Sequence, residues 1–288
     1  MVDIGFIGAG STGTALAVRL SEKGYPVVAV YSRTKASAQR LADAVSGCRV
    51  CDTAQVVVDS AQLVFVTTPD DAIEVVVAEL YWHKGQNVVH CSGADSTDIL
   101  EQARENGAWV GGFHPLQTFA SVTHAIENIP GSTFAIEAEE PLLTTLKEMA
   151  SALDGTCVRL SADDKVLYHA AAVIACNYFV TLVQQATDLW ETFGVSSQQA
   201  TKALLPLLRG TLNNIDNVGL PNCLTGPIAR GDLGTIRKHL AALKRAAPQV
   251  LSIYRELGLK TIPIALAKGR IDEERANELR ELLKEENL

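Results

Sequence analysis

Three glycines near the start of the chain carry the first chemical signal. In Ile4-Gly-Phe-Ile-Gly8-Ala-Gly10-Ser11-Thr12-Gly13 the spacing is Gly-x-Gly-x-x-Gly, set between a short apolar run and an amphipathic stretch. In a strand that turns into a helix, the first glycine makes the turn and the second lets a pyrophosphate approach the backbone. The third packs helix on strand. Gly8, Gly10 and Gly13, with Ser11 and Thr12 between them, therefore read as a dinucleotide-binding turn. At the end of the following strand an NAD site would present Asp or Glu to the ribose hydroxyls. This chain has Tyr31-Ser32-Arg33-Thr34-Lys35 instead. Ser32 and Arg33 suit a 2′-phosphate, because a guanidinium meets it as a planar fork and no acid repels it. The expected cofactor is NADP(H); the alternative is a solvated basic turn.

Further polar residues fall where apolar runs end. Thr67, Thr68 and Pro69 follow one run, Ser92 and Gly93 follow another, and His114 closes a third. Ligands of an open parallel sheet bind beyond the carboxyl ends of its strands, so these residues are expected to rim one cleft. Thr67 to Pro69 would face the ribose or nicotinamide, and Ser92 the substrate. His114 could donate a proton or orient substrate, with Gln117 and Thr118 as polar guides; alternatively it bonds a backbone carbonyl at the Pro115 turn.

In Asp163-Asp-Lys165-Val-Leu-Tyr168-His169 helical spacing puts Lys165 and His169 on one face. A lysine desolvated in a cleft has a lowered pKa and can serve as acid or base when a hydride adds to a carbonyl or imine carbon. The competing reading is a surface lysine paired with Asp163 or Asp164, with His169 in the core. Asn177, within an apolar helix, must find a hydrogen-bond partner, supplied by substrate or a second subunit. Arg230, in the loop before a helix capped by Asp232, is the candidate to hold a substrate carboxylate. Pairing with Asp232 is its alternative.

The elements that must position these residues follow from pattern. Apolar runs at 3–7, 27–31, 63–67, 87–91, 108–113, 132–136 and 156–160 alternate with helical spacing at 12–22, 36–44, 72–81, 98–105 and 141–153, with Asp70 and Thr97 as possible caps. That is the βαβ pattern of a parallel sheet. Beyond Leu160 the β-branched runs stop, and helices are expected over 163–193, 198–215, 233–246, 248–257 and 272–286. The fold class is α/β: a Rossmann dinucleotide-binding domain over 1–160, followed by an all-α substrate and dimerisation domain over 161–288.

The 288 residues carry 33 acids against 25 bases, for a net charge of −8, and no basic tract. Nucleic acid and acidic membranes are therefore unsuitable partners. Six cysteines without repeated pairing read as reduced thiols. Cys48-Arg-Val-Cys51 lacks a second pair, so no metal is expected. The chain goes directly into a strand pattern without a signal-like start, which points to the cytoplasm. Val166 to Thr187 is uncharged and long enough to span a bilayer, yet His169, Asn177, Gln184 and Gln185 interrupt it. Too apolar for an exposed helix, this stretch predicts a homodimer through residues 163 to 288. There is no GxSxG, no HExxH and no phosphate-transfer lysine after the glycines, so hydrolase and kinase chemistry is excluded.

The glycine turn resembles that of pyrroline-5-carboxylate reductases and β-hydroxyacid dehydrogenases. A closer resemblance rests on Phe65-Val-Thr-Thr-Pro69-Asp70-Asp71, His90-Cys-Ser92-Gly93, Gly112-Phe-His114-Pro115-Leu-Gln117-Thr118 and Leu224-Thr-Gly-Pro227-Ile-Ala-Arg230-Gly-Asp232. Together these look like the Rossmann-like proteins with the C-terminal domain called DUF2520, over nearly the whole chain. The resemblance implies an NADP-dependent oxidoreductase. In β-hydroxyacid dehydrogenases a lysine on the first interdomain helix transfers the proton, with an asparagine one turn on. Lys165 matches that lysine, and His169 stands in place of the asparagine, which argues against a hydroxyacid substrate. The expected reaction is hydride transfer to or from a small, carboxylated carbonyl or imine compound. Alternatives are reduction of a pyrroline-type C=N, an F420-linked NADP oxidoreductase, and a non-catalytic NADPH-binding sensor or scaffold.

Overall fold

A computed structural model describes residues 2–284. From the amino end the elements are β1 (Ile4–Ile7), α1 (Ser11–Glu22), β2 (Val27–Tyr31), α2 (Lys35–Ala44), β3 (Arg49–Val50), α3 (Ala54–Val58), β4 (Leu63–Val66), α4 (Asp70–Ala78) and β5 (Asn87–His90). They continue as α5 (Glu101–Glu105), β6 (Trp109–Leu116), α6 (Val122–Asn128), β7 (Thr133–Ala138), α7 (Leu142–Ala152), β8 (Thr156–Arg159) and α8 (Lys165–Ala175). Then come α9 (Asn177–Glu191), α10 (Ser197–Val218), α11 (Leu233–Ala246), α12 (Leu251–Ala267) and α13 (Glu273–Lys284). Two compact units result, one through Asn177 and one from Tyr178 onward. The change in sequence pattern near residue 160 thus precedes the structural division, and α8 lies between the two.

The first unit holds one sheet in the order β3-β2-β1-β4-β5-β6-β7-β8. Central strands bury both faces, and the residues alternate between two layers. Ile4, Phe6, Phe65, Val89, Phe113 and Phe134 face α1, α2, α6 and α7. Ile7, Ala29, Val64, Val66 and Val88 face α3, α4 and α5. Phe6, Phe65, Phe113 and Phe134 form an aromatic row with centroid separations of 5.2, 6.1 and 4.5 Å. This row packs β1, β4, β6 and β7 together on one face of the sheet, with Val89 at the β5 position.

In the sheet and the helices packed on it, pattern and structure differ at three places. β7 runs antiparallel to β6, with Gly112 opposite Glu137 and His114 opposite Ala135. A parallel return needs a crossover along the sheet, but the seven-residue α6 docks on α1 and stays at the end where β6 finished. Three elements, β3, α3 and α6, are too short to show periodicity and were not expected. The expected caps also shift by a residue. Pro69 precedes α4, so Asp70 lies in its first turn, and Ser96 instead of Thr97 accepts the Asp98 N–H. Thr97 gives its N–H and hydroxyl to the Glu137 carboxylate.

The helix expected over 163–193 breaks at Cys176, where ψ is −67° and φ −111°. The helical run over 162–191 remains long and apolar enough to cross a membrane by length and composition, with mean hydropathy 1.7. None of its most apolar window is buried. Asn177, expected deep in an apolar helix, is exposed. In the second unit Ile236 and Leu240 of α11, Ile262 of α12, and Ala276, Leu279 and Leu283 of α13 form the core. Of α10, only Ala200 is buried among the described residues, whereas Leu205, Leu207, Leu212, Ile215 and Val218 are exposed.

Candidate functional site

The glycine turn has the division of labour its spacing predicts. Gly8 leaves β1 at φ +109°, and its N–H donates to the Tyr31 carbonyl at 2.8 Å. A side chain there would meet the Thr67 carbonyl at 2.6 Å. A Cβ on Gly13 would lie 2.8 Å from the Gly8 carbonyl and closer still to Thr67 Oγ1. Around Gly10, by contrast, a Cβ would find nothing within 4 Å. The open approach is therefore at the second glycine, at the amino end of α1, where peptide N–H groups favour an anion. Thr67 secures the turn by donating from Oγ1 to the Gly8 carbonyl at 2.9 Å.

A cavity of about 830 Å³ runs over this turn. Gly8, Gly10, Ser11 and Thr12 line it on one side, Tyr31 to Thr34 at the end of β2, and Thr67 to Asp70 after β4. Arg33 is exposed into it, and no carboxylate stands in the β2 turn. Thr68 Oγ1 is buried with no hydrogen-bond partner among the described residues. An open glycine, a helix amino end, an unpaired hydroxyl and an arginine at the β2 end fit a dinucleotide that carries an additional phosphate.

A second cluster, within the first unit, lies past the end of β5 and along β6, which runs on through Leu116, so that His114 sits inside the strand and does not close it. Lys165, at the start of α8, is 1% exposed, which removes the surface reading; its Nζ donates to the Ser92 carbonyl at 2.9 Å. Burial lowers its pKa from 10.5, against the opposing pull of Glu137, Cys91, Asp95 and Asp70. Ser92 is itself 2% exposed and occupied by the protein. Its Oγ lies 2.9 Å from Asp70 Oδ2 and 2.8 Å from Asp95 Oδ2, and it accepts the Asp95 N–H. With one proton to give, the hydroxyl serves one carboxylate at a time.

His114 Nδ1 shares a 2.8 Å hydrogen bond with Tyr168 Oη. Burial first, then Lys165 and His169, bring the His114 pKa down to about 4, while burial raises Tyr168 to about 12. Both are uncharged at neutral pH, so the phenol can donate to Nδ1 and leave the proton of His114 on Nε2. His169 lies edge-on to His114, centroids 6.3 Å apart. Gly93 permits this approach: a Cβ there would stand 2.7 Å from His169 Cδ2 and 2.9 Å from His114 Nε2.

Lys165, His114, His169 and Ser92 are thus gathered in one unit. Gln117 is not, since its amide donates to the Asn128 carbonyl at the end of α6. Asn177 opens α9, and Arg230 lies exposed in a turn of the second unit, beside Asp232. Sequence reasoning missed Tyr168, His90, Asp70, Asp95 and Glu137 as members of the cluster. Tyr168 sits three residues from Lys165 and His90 heads the His90-Cys-Ser92-Gly93 motif, so both signals were present. Glu137 gave none, because only the antiparallel β6–β7 register brings it near Gly112. Among the described residues no group of three metal-ligating side chains occurs, and all six cysteines are free thiols.

Residues 1–115 match the model of a Rossmann-like domain, and residues 132–261 match DUF2520, a domain of unknown function. A candidate NADP oxidoreductase from Bacteroides fragilis is 27% identical, with a TM-score of 0.72, over 91% of this chain and 98% of its own. A reductive aminase from Aspergillus terreus, in complex with NADPH and ethyl-5-oxohexanoate, is 18% identical. Its TM-score is 0.64, over 99% of this chain and 93% of its own. The 1-pyrroline-5-carboxylate reductase of Streptococcus pyogenes is 14% identical, with a TM-score of 0.61, over 97% and 98%. The last two share the fold. No curated protein sequence matches the chain.

Proposed function

From a chain that joins a Rossmann-like domain to a DUF2520 domain, we propose an NADP(H)-dependent oxidoreductase acting on a small carbonyl or imine compound. One observation carries the reading: the cavity over Gly10 is lined at the end of β2 by Ser32, Arg33 and Thr34, where a charged fork replaces the acid of an NAD site. When bound, the nicotinamide cofactor supplies or takes the hydride. Gly8, Gly10, Ser11, Thr12 and Gly13 hold its pyrophosphate, Ser32 and Arg33 its 2′-phosphate, and Thr67, Thr68 and Pro69 line its path beyond β4.

Lys165 moves the proton. A buried amine with a lowered pKa exchanges a proton near neutrality more readily than a free lysine. His114, held by Tyr168, and His169 present imidazole groups beside it. Of the two substrate types, C=N is supported by the named fold neighbours, a reductive aminase and a pyrroline-carboxylate reductase. Arg230 anchors a substrate carboxylate in this reading. The exposed apolar residues of α8, α9 and α10 support a homodimer through residues 163 to 288, and the free cysteines a cytoplasmic setting.

Titration of nucleotide fluorescence tests the proposal. NADPH is expected to bind more tightly than NADH, and Arg33→Ala to weaken NADPH by about 1.5 to 3 kcal/mol while leaving NADH nearly unchanged. Equal affinity of the parent protein for the two nucleotides would overturn it.

A further inference from the structure

His90 is 0% exposed at the carboxyl end of β5, between Val66 of β4 and Gly112 of β6. Its Nδ1 accepts the Ser92 N–H at 3.2 Å. That bond needs the lone pair on Nδ1, so the proton of the neutral ring resides on Nε2. Nε2 is buried and has no partner among the described residues. An unmet donor costs about 1 to 3 kcal/mol when desolvated, so its persistence at this position calls for an explanation.

The space it faces is shared with Lys165. A Cβ built on Gly112 would stand 3.2 Å from His90 Nε2 and 3.3 Å from Lys165 Nζ, so both nitrogens border the same point. The absent side chain of Gly112 leaves that space open to both. An ammonium has three donors and no acceptor, and facing an N–H it finds only repulsion. An amine has two donors and one lone pair. One N–H then goes to the Ser92 carbonyl, as observed, and the lone pair can receive the histidine N–H.

We propose that His90 is a positioning residue for Lys165: its Nε2–H is reserved for the amine form of the lysine and so selects Lys165 as a proton acceptor. The proposal rests on the reading of Lys165 as the proton-transfer group and adds the direction of that transfer in the resting protein. Other groups face Lys165 from each packed element. Asp70 lies in the first turn of α4, Cys91 and Asp95 follow β5, His114 is on β6 and Glu137 on β7. The carboxylates favour the ammonium, yet the hydrogen bond of Nζ goes to Ser92, and burial outweighs their pull. His90 itself is held neutral, its pKa brought down to about 3 by burial first and then by Lys165 and His114.

Lysine-selective ¹³Cε NMR on the full-length protein tests this without substrate or nucleotide, the Lys165 signal being assigned by its loss in Lys165→Met. His90→Gln keeps a donor near the Nε2 position, whereas His90→Asn keeps an acceptor for the Ser92 N–H but its shorter amide holds no donor at the Nε2 position. The titration midpoint of Lys165 is expected to rise by about one pH unit, ten-fold in proton affinity, in His90→Asn and to stay at the parent value in His90→Gln. An equal midpoint in parent and His90→Asn overturns the proposal, as does an equal rise in both variants. Should either variant fail to fold, ¹⁵N correlation spectra of the parent decide. An Nε2–H ring whose proton signal moves as Lys165 titrates supports the proposal, and an Nδ1–H ring or an unresponsive Nε2–H refutes it. NADPH titration of the same samples reads the cofactor assignment separately, so either idea can fail alone.

Discussion

Lys165 Nζ donates to the Ser92 carbonyl across 2.9 Å, which plants the first residue of α8 at the carboxyl end of β5. The bond explains why the first compact unit extends beyond the last strand through α8. It also places the one fully buried lysine among the described residues next to two neutral imidazoles.

Lys165→Met should therefore separate stability from activity. The thioether fills similar volume without the desolvation cost of an amine, so the variant is expected to melt at or above the parent temperature. NADPH affinity should persist while turnover drops ~100-fold or more, the size of an acid–base contribution. Screening keto acids and cyclic imines with NADPH provides the assay, and full turnover in the variant would refute the role assigned to Lys165.

The glycine turn yields a paired prediction. Gly10 has φ −78° and open surroundings, so Gly10→Ala should keep unfolding stability within about 0.5 kcal/mol of the parent yet block nucleotide approach. Gly13→Ala must displace Thr67 and the Gly8 carbonyl, and is expected to lose ~1 to 3 kcal/mol along with binding. Calorimetry and NADPH titration on both variants check this; undiminished NADPH binding by Gly10→Ala would show that the pyrophosphate lies elsewhere.

Acid should destabilise the protein earlier than its carboxylates require. His90 titrates at about 3 and His114 at about 4 when folded, against 6.5 when free. Between pH 6.5 and 4 the unfolded chain binds the additional protons, so stability falls as pH falls. Each histidine contributes up to about 1.4 kcal/mol per pH unit. Lys165 acts in the same sense at high pH, its lowered pKa making the folded state gain as pH rises toward 10.5. Urea unfolding from pH 7 to 4.5 should show this slope, and His114→Asn should remove its share. A parallel slope in the variant would mean that His114 is not held neutral.

The exposed apolar residues of the helical segments predict assembly. Val166, Leu167, Ile174, Val180, Leu207 and Leu212 are each more than half exposed in a single chain. Light scattering at micromolar concentration should give about twice 30.8 kDa. A Leu207→Glu, Leu212→Glu pair should shift the population toward monomer by placing charge in a desolvated interface. A parent protein that stays monomeric at high concentration counts against the dimer.

Local pattern alone determined the glycine turn, the arginine at the β2 end, most strands and the break from mixed to helical structure. Those features depend on residues adjacent in sequence: a strand, a turn and a helix declare themselves through period and punctuation. The resemblance to DUF2520 proteins likewise followed from contiguous motifs. The composition of the proton cluster did not. Lys165 offered two readings, surface pair or buried amine, and only the packing of α8 against the β5 end removes water from it. Glu137 enters because β7 runs antiparallel, a choice set by the short α6 docking on α1 and invisible in β7 itself. Gln117 leaves because its amide finds the Asn128 carbonyl. His90 reads as an ordinary member of a strand until Gly112, by lacking a side chain, leaves space that His90 and Lys165 both border, and Tyr168 as one of a helix until its hydroxyl meets His114. Burial and long-range register determine which of these groups share a dielectric environment, and that sharing sets their protonation. Neither is written in the spacing of neighbours along the chain.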